Sequence, residues 1–161
     1  MRLEQGQASA ALAVLQRTTE LAPEDGEGLR LYADALFRLG RVVEAVAAYH
    51  AALERKADDA VIANNLGAAY ARLGRQQEAE RWFQQAAQRD PSYAQPWVNL
   101  AKLYMSLGRR EEAWRCLSTA LERESQHPEA LRFKERWQKD AAGVPRERGL
   151  LPPSPEAKTK P

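Results

Sequence analysis

Only one cysteine, Cys116, occurs in the 161 residues. A lone cysteine excludes an intramolecular disulfide and a two-cysteine metal knuckle. The two histidines, His50 and His127, read as helix-end or exposed residues, and no motif joins either to a nucleophile or to further metal ligands. No apolar run approaches the ~18 residues that mark a membrane span, and the apolar stretch from Ala8 to Leu15 is short and broken by Ser9. Surplus charge is scarce too. The formal net charge is +2, and four of the 24 basic and two of the 22 acidic residues lie in 141–161, which leaves residues 1–140 balanced. Nucleic-acid binders carry a basic footprint, because neutralising phosphates supplies much of their affinity. This chain has none. With 44% apolar and 29% charged residues it has the composition of a folded domain.

What the chain does have is a period. Gly6, Gly40, Gly74 and Gly108 stand 34 residues apart. Ala11, Ala45, Ala79 and Ala113 keep the same step, as do Leu15, Tyr49, Phe83 and Leu117. Three columns of different character in one register mark a stacked helical repeat. In the unit 60–93, Ile62, Ala63, Leu66, Ala69, Tyr70 and Leu73 recur at three- and four-residue steps before Gly74, and Ala79, Trp82, Phe83 and Ala86 do so after it. Each unit therefore reads as two antiparallel helices joined at a glycine that turns left-handed. Asp90 and Pro91 end the second helix. A single hairpin cannot cover its apolar face, and stacking its neighbours does.

These residues resemble the tetratricopeptide repeat. Its pattern of a leucine-glycine pair, a tyrosine, a turn glycine, an alanine, an aromatic, a second alanine and a proline is met by Leu66, Gly67, Tyr70, Gly74, Ala79, Phe83, Ala86 and Pro91. The unit 94–127 matches with Trp97, Leu100, Ala101, Tyr104, Gly108, Ala113, Leu117 and Ala120, with Ser125 in the proline place. The unit 26–59 is looser: Leu29, Tyr32, Ala33, Leu36, Gly40, Ala45, Tyr49 and Ala52, with Ala57 in the proline place. The resemblance covers residues 1 to about 140 and implies an all-α fold, a right-handed helical-hairpin solenoid of about 3.5 repeats plus a C-terminal capping helix.

The frame assigns 1–25 to a partial repeat holding only the second helix, then full repeats at 26–59, 60–93 and 94–127. A capping helix at 128–140 opens on Pro128 and sets Leu131, Phe133 and Trp137 among charges. Residues 141–161 hold five of the nine prolines without a helical period and read as a disordered tail. Its Pro152 to Pro155 stretch has polyproline-ligand spacing, a pattern common in such tails. The chain starts inside a repeat, either as part of a longer protein or as a native half-repeat cap. Leu12, Val14 and Leu15 then lack cover, and weak self-association through this end is expected.

In the family the first helix of each unit lines an inner groove for a peptide or partner helix. The resemblance places Arg30, Leu31, Asp34, Phe37 and Arg38 there from the first full unit, Asn64, Asn65, Ala68 and Arg72 from the second, and Val98, Asn99, Lys102, Met105 and Ser106 from the third. Asn65 and Asn99 sit one repeat apart. A carboxamide donates and accepts, so such a ladder can pair with a peptide backbone of any sequence; members that present protein substrates to glycosyl transfer have similar ladders. The family's carboxylate clamp for acidic chaperone tails does not fit. Its places hold Arg30, Asp34, Asn65, Gln95 and Asn99, or one unit onward Asn64, Ala68, Asn99, Glu129 and Phe133.

No catalytic constellation, metal site or cofactor site is legible. Glu44, Glu78 and Glu112 share a column that supports helix starts, Cys116 reads as packed, and Trp82, Phe83, Trp97, Trp114 and Trp137 read as core. The expectation is a non-catalytic, cytoplasmic scaffold or adaptor that binds a protein or peptide, without nucleic-acid or membrane partners. The alternative is the substrate-recognition or regulatory segment of a larger enzyme such as a glycosyltransferase. An RNA-binding helical repeat is disfavoured by the balanced charge and the 34-residue step.

Overall fold

A computed structural model of the chain describes residues 12–17, 19–22, 24–56 and 58–142. Helical residues 12–17 and 19–21 precede α1 (Gly26–Arg38), α2 (Val42–Arg55), α3 (Ala60–Arg72), α4 (Gln76–Arg89), α5 (Gln95–Ser106), α6 (Arg110–Arg123) and α7 (Pro128–Ala142). No strand occurs among the described residues. The chain is an all-α solenoid: α1 packs on α2, α3 on α4 and α5 on α6, each pair packs on the next, and α7 closes against α6.

Local chemistry sets the boundaries. Asp25 caps α1 by accepting from the Glu27 N–H, and Asp59 caps α3 by accepting from the Ile62 N–H. The second helices have no side-chain cap. Arg41, Arg75 and Arg109 stand at those starts and reach Glu44, Glu78 and Glu112 in the first turn, at 2.7, 2.9 and 2.6 Å. The expected glutamate column thus lies where a helix dipole favours negative charge. Gly40, Gly74 and Gly108 have φ of +80°, +74° and +73°, a conformation that costs other residues a Cβ clash. It lets the N–H of Arg41, Arg75 and Arg109 turn back to the carbonyls of Leu36, Tyr70 and Tyr104, at 2.9, 3.0 and 2.8 Å. Otherwise orphaned carbonyls are satisfied.

The columns become the core. Ala45, Ala79 and Ala113 are fully buried, as are Ala33 and Ala101, and Tyr49, Phe83 and Leu117 fill the space beside them. Burying side chains of that size stabilises by about 1.5–3 kcal/mol each before entropy is counted. Gly67 lets α3 and α4 approach: a Cβ there would lie 2.7 Å from Cδ1 of Phe83. Trp137 is buried, 5.4 Å from the Trp114 ring and 6.3 Å from that of Phe133, with the Arg110 guanidinium 4.8 Å over it.

Some expectations change. His50 is half-buried in the middle of α2, with Nε2 3.0 Å from the Tyr70 hydroxyl and its ring against Trp82, because it fills the joint between α2 and the next hairpin. His127 is at a helix end, as read, but buried. Leu12 is buried in the core, whereas Val14 and Leu21 are exposed. The last helix continues through Ala142. The expected turn at Gly6 and the tail at 143–161 lie outside the described residues.

Candidate functional site

The first helices of the hairpins, α1, α3 and α5, touch in sequence, and α5 reaches α7 through Gln95 and Glu129. A chain of polar side chains crosses all four. Arg30 donates to Asp34 Oδ2 at 2.7 Å, while the Tyr49 hydroxyl and Asn65 Nδ2 donate to Oδ1 at 2.5 and 3.0 Å. Asn64 donates to Asn65 Oδ1 at 3.4 Å, Asn99 to Asn64 Oδ1 at 2.9 Å, and Gln95 to Asn99 Oδ1 at 3.3 Å. The Gln95 amide also donates to Glu129 at 2.9 Å, and Lys102 donates to the other Glu129 oxygen. His127 Nε2 stands 3.0 Å from Gln95 Oε1, and its Nδ1 is 3.3 Å from the Ala130 N–H at the start of α7. An acceptor on one side and a donor on the other assign a neutral ring that donates from Nε2 and accepts at Nδ1.

The electrostatics follow from these partners. Burial and then the Asp34 hydrogen bond raise the Tyr49 phenol far above its ordinary value. Hydrogen bonds from Arg30 and then Lys56 lower the Glu27 carboxyl to about 2. Burial works against the charge on Glu129, but Gln95 and Lys102 outweigh it and hold the carboxyl below its ordinary value. Polar residues that satisfy one another hold fixed rotamers.

Two hollows open along these helices. One, about 210 Å³, is lined by Asp34, Phe37, Arg38, Tyr49, Asn65 and Ala68. The other, about 490 Å³ and lying between α5 and α7, is lined by residues that include Lys102, Met105, Glu129, Arg132, Arg136 and Trp137. The residues anticipated in the groove therefore divide. Asp34, Phe37, Arg38 and Asn65 meet in the first hollow, and Lys102 and Met105 in the second. Arg30 is held by Glu27 and Asp34. Arg72 reaches back to α1, donating to the Phe37 carbonyl at 3.2 Å and covering the Phe37 ring at 5.1 Å. Asn99 lies between the hollows in the polar chain.

Two assignments to the open face are corrected. Asn64 is only 4% exposed and Val98 is fully buried. Their shared column points into the helix joint, from which the long Arg30 side chain reaches partly out and shorter ones do not. Sequence reasoning also omitted Arg132 and Arg136 of α7. Carrying the columns of Arg30 and Asp34 onward in steps of 34 reaches Arg132 and Arg136, so the signal was present in a helix read only as a cap.

Cys116 is buried, and burial pushes its thiol up to about 11, the reverse of an activated nucleophile. Among the described residues no group of three or more His, Cys, Asp or Glu side chains is placed to hold a metal ion, and no helix is long and apolar enough to cross a membrane.

Two family models described as tetratricopeptide repeat match residues 26–92 and 70–136. Comparison with curated protein sequences gave no match. Among solved structures, the chain is similar to YrrB, described as a TPR protein with an unusual peptide-binding site, with a TM-score of 0.72 and 22% identity over 83% of this chain and 69% of that one. It is similar to the Arabidopsis OM64 TPR domain, with a TM-score of 0.67 and 25% identity over 73% of this chain and 97% of that domain. It is also similar to the first TPR of Spaghetti (RPAP3) bound to the HSP90 peptide SRMEEVD, with a TM-score of 0.66 and 23% identity over 73% of this chain and 94% of that one. With glycine turns, alanine joints and stacked hairpins in one register, and with family models that together span residues 26–136, the chain belongs to the tetratricopeptide repeat family.

Proposed function

We propose that this protein is a non-catalytic scaffold or adaptor that holds a peptide or helix from a partner protein along α1, α3, α5 and α7. The observation that carries the reading is the pair of hollows on these helices, joined by a polar chain whose members are held in place before any ligand arrives. Preorganised side chains lower the entropic cost of binding. Each of Asn65 and Asn99 uses one amide N–H internally, so each keeps a second for a ligand backbone. The printed descriptions of YrrB, with its peptide-binding site, and of the RPAP3 repeat, with its HSP90 peptide, support the same class of partner. A reducing compartment such as the cytoplasm suits a protein whose one cysteine is a packed thiol.

Peptides selected from a random display library on the full chain test this reading. Ala68→Arg places a long side chain in the first hollow and should weaken their binding, whereas Arg81→Glu on the exposed side of α4 should not. Asn65→Ala with Asn99→Ala should weaken it by about 1–3 kcal/mol, from about 0.5–1.5 for each net hydrogen bond. Selected peptides indifferent to all three changes would place the binding surface elsewhere.

A further inference from the structure

The hollow between α5 and α7 has a chemistry that the rest of the groove lacks. Arg132 and Arg136 stand one turn apart on α7, both exposed, and neither makes an ion pair or hydrogen bond among the described residues. Among the described residues lining this hollow, Lys102 is the third cation, and Glu129, its partner, is the one carboxylate. Met105, Phe133 and Trp137 supply apolar walls between these charges. The Trp137 indole N–H, like that of Trp97, is buried without a partner among the described residues, and Trp137 is only 4% exposed. An unpaired buried donor is costly and unusual in a native protein.

The same column of the repeat reads Asp34, Ala68, Lys102 and Arg136 from the first full unit to the last helix. Asp34 is already occupied by Arg30, Asn65 and Tyr49. Beside it Arg38 is the one cation among the described residues lining the first hollow, so attraction for negative charge is concentrated at the α7 end.

From this charge distribution we infer that the α5–α7 hollow binds an internal acidic segment of a partner protein, with side-chain carboxylates against Arg132 and Arg136 and an adjacent apolar side chain against Met105, Phe133 and Trp137. The inference rests on the proposed groove function and names its ligand chemistry. Three cations beside one carboxylate leave room for more than one incoming negative charge, which favours an acidic segment over a lone C-terminal carboxylate. Arginine suits this role because its planar fork pairs with a carboxylate through two hydrogen bonds. Residues 143–161 are a poor occupant by charge, since they carry Arg146, Arg148, Lys158 and Lys160 against Glu147 and Glu156.

The test uses the full chain and a fluorescein-labelled peptide of alternating Glu and Leu, amidated at its C-terminus, read by anisotropy. Saturable binding is expected, with a loss of about tenfold or more when Gln replaces Glu in the peptide or when Arg132→Glu and Arg136→Glu are made together in the protein. Both positions are exposed, so circular dichroism should show an unchanged fold. A counterpart with Gln in place of Glu and a free C-terminal carboxylate should bind no better than its amidated form. Equal binding of the Glu and Gln peptides, or an affinity untouched by the double arginine reversal, would overturn the inference. If Ala68→Arg still abolished binding of library peptides in that case, the groove reading would stand and only this ligand assignment would fall. Absence of saturable binding by the acidic peptide would also overturn it.

Discussion

Two glycines seven residues apart, Gly67 inside α3 and Gly74 in the turn after it, predict different mutant behaviour at the residue scale. Gly67→Ala puts a methyl group 2.7 Å from the Phe83 ring, inside the α3–α4 contact, and overpacking of that kind costs about 1–3 kcal/mol. Gly74→Ala meets nothing within 4 Å, so its penalty is the left-handed backbone alone, about 1–2 kcal/mol. The discriminating result is a rescue measured by urea denaturation: Phe83→Leu should recover stability in the Gly67→Ala background and none in the Gly74→Ala background. Equal effects in both would mean that ring contact does not explain Gly67. The left-handed turns were legible in the sequence because a glycine at a helix end has a purely local cause. The contact of Gly67 with Phe83 was not, since spacing names a column but not the side chain facing it. Asn64 makes the same point more sharply. Read as an exposed groove residue, it is a buried acceptor for Asn99.

At the scale of the element, two junctions carry tests. The first is the start of α7, where His127 accepts from the Ala130 N–H and donates to Gln95. Histidine is an unusual cap, and its sequence position alone did not suggest the role. His127→Ala should destabilise by about 0.5–2 kcal/mol, as cap losses do, and hydrogen exchange should quicken first in the opening turn of α7. His127→Asp restores an acceptor and should slow that exchange again; if it does not, the cap is not what the imidazole supplies. The second junction joins α1 to the end of α2 through Glu27, which receives Arg30 and Lys56. Its folded carboxyl lies at about 2, below its ordinary 4.5. A depressed folded value gives stability that is present above the unfolded value and is lost as pH falls from about 4.5 toward 2. Glu27→Gln should therefore lower stability at neutral pH and flatten the fall in urea midpoint across that window, by a small amount that added salt reduces because the group is half-exposed. An unchanged acid limb would show that the ion pair contributes nothing. Helix identities and order were readable because the small and large apolar columns are in phase. The polar links were not, because their partners lie 31 residues apart for Asn65 and Asp34 and 35 for Asn99 and Asn64.

For the whole molecule, stacked repeats gain stability roughly as a sum of units and neighbouring interfaces, and on that rule alone the second and third units would be equally dispensable. The polar chain breaks the equivalence. Excising 60–93 brings Asn99 into the place of Asn65, where its amide can donate to Asp34, while Gln95, Glu129, Lys102 and His127 keep their partners. Excising 94–127 removes His127 and puts Phe133 in the place of Asn99, leaving Asn64 buried without its donor. The first deletion should keep the higher unfolding free energy in urea, by about 1–3 kcal/mol for one unsatisfied buried group; equal values would show that the chain adds nothing to the stacking. In terms of inheritance, the links act as a grammar. A middle unit can be copied or dropped in place and the ends still agree, but units cannot be shuffled. Descendants of this protein would therefore vary in length between α1 and α7 while carrying these two helices unchanged.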